Sequence, residues 1–257
     1  MQLFSPSEFA KDKVMAVQEY SILAWRSITN IFGHPRYVGD TLQQADIIGV
    51  GSLPIVVLTG FFTGAVLALQ SANSLAAFGA LSFTGQLVSK SMVRELGPVL
   101  TSLMVAGRNA SGMASELGSM KVTEQIDAMR ALGTDPSKKL ITPRVISTVV
   151  MLFFLSIISD LVGLAGGSMV SSVLLRLDLN QYWTSAYQSL IFQDVFMGLL
   201  KPVFFGFIIA TIGCYYGLTA RGGTQGVGRA TTQAVVASSV LILVVDFFLT
   251  RLLMEIT

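Results

Sequence analysis

The sequence predicts an all-α integral membrane protein: an N-terminal interfacial amphipathic helix followed by about five transmembrane helices. Three observations lead there. Of the 257 residues, 52% are hydrophobic and only 12% are charged, against roughly 25% charged in soluble domains, so water cannot be the solvent for most of the surface. Apolar stretches recur near 47–71, 86–117, 143–175, 195–218 and 231–254, each near the roughly 20 residues a helix needs to cross a 30 Å hydrocarbon core. Backbone N–H and C=O groups cannot go unpaired in hydrocarbon, so these stretches are helices rather than open strands. Together they read as one membrane domain over 1–257.

Residues 7–33 precede the first span and are amphipathic. Val14, Val17, Ala24, Ile28 and Ile31 recur at helical spacing beside Trp25 and Phe32, with Lys11, Lys13 and Arg26 among the polar residues. Such a helix lies in the interface with its apolar face at the acyl boundary; packing on a soluble partner is the other reading. Gly33 and Pro35 end it. Met1 to Val14 contains Pro6, Glu8, Lys11, Asp12 and Lys13 and no apolar h-region, so no cleavable signal peptide is expected there.

The 86–117 segment is the atypical span. Its apolar centre, Pro98 to Gly107, is flanked by Lys90, Arg94, Glu95 and Arg108, which predicts one long helix buried against neighbours and kinked at Pro98. Lysines and arginines gather at 121–144, at Arg221 and Arg229 and in the N-terminal segment, including Arg36, whereas 72–85 has none and 176–194 only Arg176. The positive-inside rule then predicts a cytoplasmic N-terminus and, after five crossings, an external C-terminus.

Residues 119–133 predict a short helix outside the membrane. Val122, Ile126 and Met129 share an apolar face, with Glu124, Gln125, Asp127 and Arg130 on the others. Gly133 suits a C-cap and Pro136 prevents continuation. Thr142 and Pro143 read as N-cap and first position of the next span. Tethered at both ends to spans, this helix is either a lever for a soluble partner or a loop helix lying on the bilayer. Periodicity leaves both open.

Several sequence motifs occur in order: Val93-Arg94-Glu95-Leu96-Gly97-Pro98-Val99, Ala106-Gly107-Arg108, Ala114-Ser115-Glu116-Leu117-Gly118, Thr123-Glu124-Gln125-Ile126-Asp127-Ala128, Asp135-Pro136, Gly213-Cys214-Tyr215-Tyr216-Gly217, Arg221-Gly222-Gly223, Gly226-Val227-Gly228, Ala230-Thr231-Thr232 and Asp246-Phe247. Over roughly 40–255 the chain resembles the MlaE/YrbE permease family of the bacterial Mla (maintenance of lipid asymmetry) pathway. The resemblance implies a homodimeric, multi-pass permease of the bacterial inner membrane that moves phospholipid to or from a periplasmic MCE-domain partner. It implies as further partners two cytoplasmic ATP-binding-cassette ATPase subunits of the MlaF type, a small STAS-type accessory protein and an MlaD-like MCE hexamer. It also makes 119–133 the coupling helix that docks on the ATPase. Sterol and chloroplast lipid importers are variants within the family.

No G-x-x-x-x-G-K-[ST] sequence is present, so ATP and magnesium are expected on the ATPase and no cofactor on this chain. The glycine-rich Arg221–Arg229 loop lacks the lysine and strand of a nucleotide loop and reads as a tight turn. His34 is the only histidine and Cys214 the only cysteine, which leaves neither a metal cluster nor a Cys/His dyad. Net charge of +2 gives no footprint for nucleic acid.

The expected substrate pathway is a cavity lined by the first two spans, with Leu67, Leu69, Phe83 and Leu87 for acyl chains and Gln70, Arg94, Glu95 and the Pro98 bend near the headgroup. Charges in a span are costly, about 2.5–3.5 kcal/mol each, so Arg94 and Glu95 should face protein or water; adjacent residues do not share a helix face, so their partners lie on other helices. A structural charge pair is the rival reading. For Asp160, Asp246 and Lys201, inter-helix pairing outranks a proton relay. Arg108 and Glu116 read as gate, coupling support or surface anchors. The small-residue stripe Ser102, Ala106, Ala110, Ala114 and Gly118 allows close helix contact, within one subunit or across a dimer seam. Two other classes stay open: an ion-coupled secondary transporter and a non-transporting membrane scaffold.

Overall fold

The structure is a computed structural model that describes residues 6–31, 33 and 37–256. Met1–Ser5, Phe32, His34, Pro35, Arg36 and Thr257 lie outside the described residues, and with them the predicted helix end at Pro35. Ten α-helices follow in chain order: α1 Pro6–Ile31, α2 Val38–Ala76, α3 Thr84–Ser91, α4 Gly97–Val105, α5 Ser111–Val122, α6 Gln125–Ala131, α7 Thr142–Val173, α8 Leu179–Ser189, α9 Phe192–Leu218 and α10 Gly223–Ile256. No strand occurs among the described residues. Among the described residues four helical stretches are long and apolar enough to cross a membrane: Val38–Ala76, Ser137–Val173, Phe192–Leu218 and Gly223–Glu255.

The segment expected as the second span is a helical rod over 84–122, built of α3, α4 and α5 joined by π-turns at Met92–Leu96 and Ala106–Ala110. Its charges and hydroxyls keep it out of the apolar set, yet it packs along α2, α7, α9 and α10. The predicted Pro98 kink takes a particular form. Proline lacks an N–H and crowds the carbonyl four residues back; the π-turn widens the helix just before Pro98, and the rod continues.

Small residues set how closely the helices approach. On α2, Gly60 faces Ser159 of α7, where an added Cβ would stand 2.8 Å from the Ser159 carbonyl oxygen, and one on Gly64 would collide with the Gly163 carbonyl. The predicted Ser102–Gly118 stripe is buried. Three of its members meet other helices of this same subunit: Ala110 and Ala114 lie against Gly213 and Gly217 of α9, and Gly118 against Val227 of α10. That is packing within one chain, since lipid offers helices no hydrophobic drive and backbone proximity must supply the attraction.

Two boundaries differ from expectation. The predicted 119–133 helix is split: 119–122 finish α5, and Glu124 takes a left-handed φ of 58° that turns the chain before α6 starts at Gln125. A non-glycine residue there is rare and gives no warning in a sequence. The second is α8, which lies in a stretch read as an outer loop. Asp178 caps it, its carboxylate accepting from the Asn180 amide at 3.2 Å, and it folds back onto α3.

The apolar stripe predicted for α1 divides: Val14 and Val17 point away from the bundle, 66% and 65% exposed, whereas Ile28 and Ile31 line a recess against α7 and α9. The adjoining face packs on the bundle: Tyr20 shares a hydrogen bond of 2.9 Å with Thr211 of α9, and Leu23 and buried Ser27 lie on the same side. Both faces of α1 are thus engaged or apolar, which suits a helix caught between protein and acyl boundary. Below, the bundle's ends are called the α6 end and the α8 end.

Candidate functional site

Near the α8 end, ionic side chains from three elements converge on Lys201. This lysine, in α9, is 1% exposed. Its ammonium donates to Glu95 of the first π-turn and stands 3.0 Å from Asp246 Oδ1 of α10, an ion pair outside hydrogen-bond alignment. Thr250, one turn beyond Asp246, donates to Glu95 Oε1 at 3.2 Å. Arg94, the neighbour of Glu95, points elsewhere: its Nε lies 3.5 Å from Asp194 Oδ1 in the first turn of α9. Asp194 and Lys201 are seven residues apart, two turns on one face, so α9 presents a carboxylate and an ammonium about 10 Å apart to the adjacent Arg94 and Glu95. Asp194 Oδ2 also accepts from the Ile191 amide at 3.2 Å, closing the start of the helix.

Three carboxylates thus meet two cations within the bundle. Glu95 retains 37% side-chain exposure and Arg94 29%, so the cluster has a buried floor at Lys201 and a face open to an approaching polar group. Arg94 is the open donor: a guanidinium can give two parallel hydrogen bonds to a phosphate or carboxylate. Asp160 stands apart in α7. It is 7% exposed, makes no hydrogen bond through Oδ1 among the described residues, and occupies the space a Cβ on Gly97 would need.

The other predicted pathway residues disperse. Pro98 is buried and Leu67 half-buried, packed on the cluster of Val88, Met92 and Tyr182, while Leu69, Gln70, Phe83 and Leu87 are exposed. A recess of about 840 Å³ lies between α3 and α8; of the predicted pathway residues Phe83 alone lines it, beside Gln86, Lys90 and Gln181. Sequence reasoning missed Asp194, Thr250 and α8. Asp194 carried a signal, since an acidic residue in the first turn of an apolar helix caps it; Thr250 carried none.

At the α6 end, α6 projects as a short exposed helix. Of the predicted apolar face only Ile126 is fully buried, in the cluster with Leu117, Leu140 and Cys214; Met129 packs at its edge. Val122 is 40% exposed because it belongs to α5, beyond the Glu124 turn. Glu124, Gln125, Asp127 and Arg130 are exposed. Asp127 accepts from Lys121 at 2.8 Å and from Arg130 at 3.1 Å. The Lys121 hydrogen bond, aided by both positive charges, holds its carboxyl below the usual range. At Gly133, φ of 77° lets the Thr134 amide reach the Met129 carbonyl and the Gly133 amide the Arg130 carbonyl, ending α6 as its glycine predicts. Thr142 is not the N-cap expected: its hydroxyl donates back to Ser137, and α7 grows out of a π-turn at Ser137–Ile141.

Two arginines tie this end together. Arg144, 4% exposed at the start of α7, pairs with Glu116 of α5 at 2.7 Å. Arg108, in the second π-turn, donates to the Ile47 carbonyl and Ser52 hydroxyl of α2, each at 3.1 Å. The rod therefore carries one charged π-turn near each end, the kind of irregularity that gathers at functional sites.

Comparison with known proteins gives this arrangement a family. Residues 41–252 match the family model described as Permease MlaE. A probable ABC transporter permease protein of Rickettsia typhi is 44% identical over 237 residues, 92% of each chain. The chloroplastic protein trigalactosyldiacylglycerol 1 of Arabidopsis thaliana is 38% identical, over 89% of this chain and 65% of its own length. The intermembrane phospholipid transport system permease protein MlaE of Haemophilus influenzae is 37% identical over 213 residues, 82% of each. An all-helical bundle with apolar spans, a charged rod and matches over most of its length, this chain belongs to the MlaE permease family.

Proposed function

We propose that the chain is the membrane-embedded half of an ATP-driven phospholipid transporter in a bacterial inner membrane, with the α6 end in the cytoplasm and the α8 end toward the periplasm. Two copies enclose the lipid path. Nucleotide is bound and hydrolysed by separate ATPase subunits, and an MCE-domain protein receives or delivers lipid at the α8 end. Relatives named as ABC transporter permeases support the motor; the Haemophilus relative named for phospholipid transport supports the cargo.

One observation carries the coupling: α6 is exposed, yet its Ile126 is buried in the cluster that holds Leu117 of α5 and Val145 of α7, whose ends the Glu116–Arg144 pair ties together. A partner that grips Gln125, Asp127 and Arg130 moves the rod and α7 together. The rod carries that displacement to Arg94 and Glu95, where the ion pairs with α9 and α10 offer two packings of similar energy. Arg94 would meet the lipid phosphate and the apolar walls its chains.

The test is reconstitution with the ATPase and MCE partners and measurement of ATP-dependent transfer of fluorescent phospholipid. Reversing Asp127 and Arg130 should abolish transfer and ATPase co-purification while the chain still inserts. Full transfer without nucleotide would overturn the proposal. It would favour instead an ion-coupled carrier, for which the unpaired Asp160 is the specific observation; transfer driven by a pH gradient and lost in Asp160→Asn would mark that reading.

A further inference from the structure

Two cavities at the α6 end form a single groove outside the bundle, bounded by α1, α7 and α9. The smaller, about 230 Å³, has a mostly apolar wall that includes Val38 and Pro143, with Tyr37, Thr41, Thr142 and Lys138 as polar members. The larger, about 540 Å³, is lined by nine residues that are all aliphatic or aromatic, among them Val149, Val150 and Phe204. Ile31 and Ile146 line both, so the cavity that carries the lysine adjoins the wholly apolar one. Lys139 adds a second cation at the mouth, its ammonium 5.9 Å from the centre of the Tyr37 ring. Among the described residues no carboxylate lines either cavity.

We propose that this groove binds an anionic phospholipid of the leaflet at the α6 end, as a resident lipid separate from the transported one. Length, polarity and charge agree. From Lys138 to Val150 the wall rises twelve residues, about 18 Å at 1.5 Å per residue. One leaflet contributes roughly half of a 30 Å core, about 15 Å, before its headgroup. Cations therefore stand at headgroup depth and side chains without polar atoms at acyl depth. Lysines at that depth attract anionic lipid, each by about a fivefold gain in affinity. The alternative occupant, a partner's membrane helix, fits worse: at a 10 Å diameter and 5.4 Å pitch one turn fills roughly 420 Å³, so the apolar cavity takes little more than one turn of a helix that needs five or six to cross. α1 supplies the outer wall through Ile28 and Ile31, so a lipid seated here would glue the interfacial helix to α7 and α9. The inference rests on the groove and not on the transport reading; only the naming of the leaflet as cytoplasmic depends on the orientation proposed above.

The complex of this chain with its partners, in phosphatidylcholine nanodiscs doped with photoactivatable phosphatidylglycerol carrying its reactive group in the acyl chain, tests it. Label should map to Val149, Val150 and Phe204, and excess unlabelled phosphatidylglycerol should compete while phosphatidylcholine does not. Lys138→Gln with Lys139→Gln should cut labelling by about 25-fold, and Ile146→Trp should block it by filling the junction. Transported lipid labels elsewhere, so its signal should survive both variants. Equal labelling by a phosphatidylcholine analogue, or crosslinking of Ile146→Cys to a partner polypeptide in place of lipid, would overturn the proposal. The unmutated competition keeps the test decisive if a variant fails to fold.

Discussion

Replacing Lys201 by methionine removes the cation that touches both Glu95 and Asp246 while nearly preserving side-chain volume. The lysine is 1% exposed, and its two partners keep 37% and 19% side-chain exposure. Breaking a buried pair by deleting one partner costs about 3–5 kcal/mol, because the remaining charge is left uncompensated. Glu95 is only partly buried, at 37% side-chain exposure, so the lower end applies. A loss of about 3 kcal/mol corresponds to roughly 6–12 °C in a chain of this size. Lys201→Met should therefore unfold well below the parent in phospholipid nanodiscs, followed by intrinsic fluorescence on heating. Adding Glu95→Gln and Asp246→Asn should restore most of the loss, since a neutral cluster has no orphaned charge. If the single variant matches the parent, or the triple variant is no better than the single, then the cluster does not hold α9 and α10 to the rod.

Other expectations follow from the same geometry. Gly64→Ala should lower thermal stability by about 1–3 kcal/mol, the range for overpacking, because its Cβ would strike the Gly163 backbone rather than a movable side chain. Gly97→Ala should be similarly damaging and improved by Asp160→Ala, which clears the colliding carboxylate; additive effects would refute that contact. Glu124→Gly should raise stability by up to about 1 kcal/mol by relieving its left-handed φ of 58°, read from the same thermal scans. Because Asp127's carboxyl is held low, its pairing is full above the ordinary 3.8 and is lost as pH falls through the lower folded value. Proteolysis at the α5–α6 turn should therefore increase only in acid, and Asp127→Asn should erase that pH dependence.

Much of the fold was legible because lipid imposes a strong rule. Val38–Ala76, Phe192–Leu218 and the other long helices announce themselves by uninterrupted apolar length, and their backbones have no alternative to helix. Gly133 ended α6 where its residue type predicts. Elsewhere local signals gave way to context. α1 turned its polar-looking Tyr20 and Ser27 face inward because Thr211 and the bundle offered partners there. Glu124 broke a periodic helix because the chain must turn between the rod and α7.

The sequence by itself determined that this protein lives in a membrane, which stretches are helices, that Arg94 and Glu95 need partners on other helices, and which residues allow those helices to meet closely. All of these depend on residue type and spacing along one chain. Only the tertiary structure decided that Asp194 answers Arg94 while Lys201 and Thr250 answer Glu95, that the small-residue stripe closes on α9 and α10 of the same subunit, and that α8 covers α3. Those are pairings between residues tens to more than a hundred positions apart, set by helix rotation and approach distance, and a π-turn of one extra residue swings such a side chain through about 100° without leaving a mark on the hydrophobic pattern.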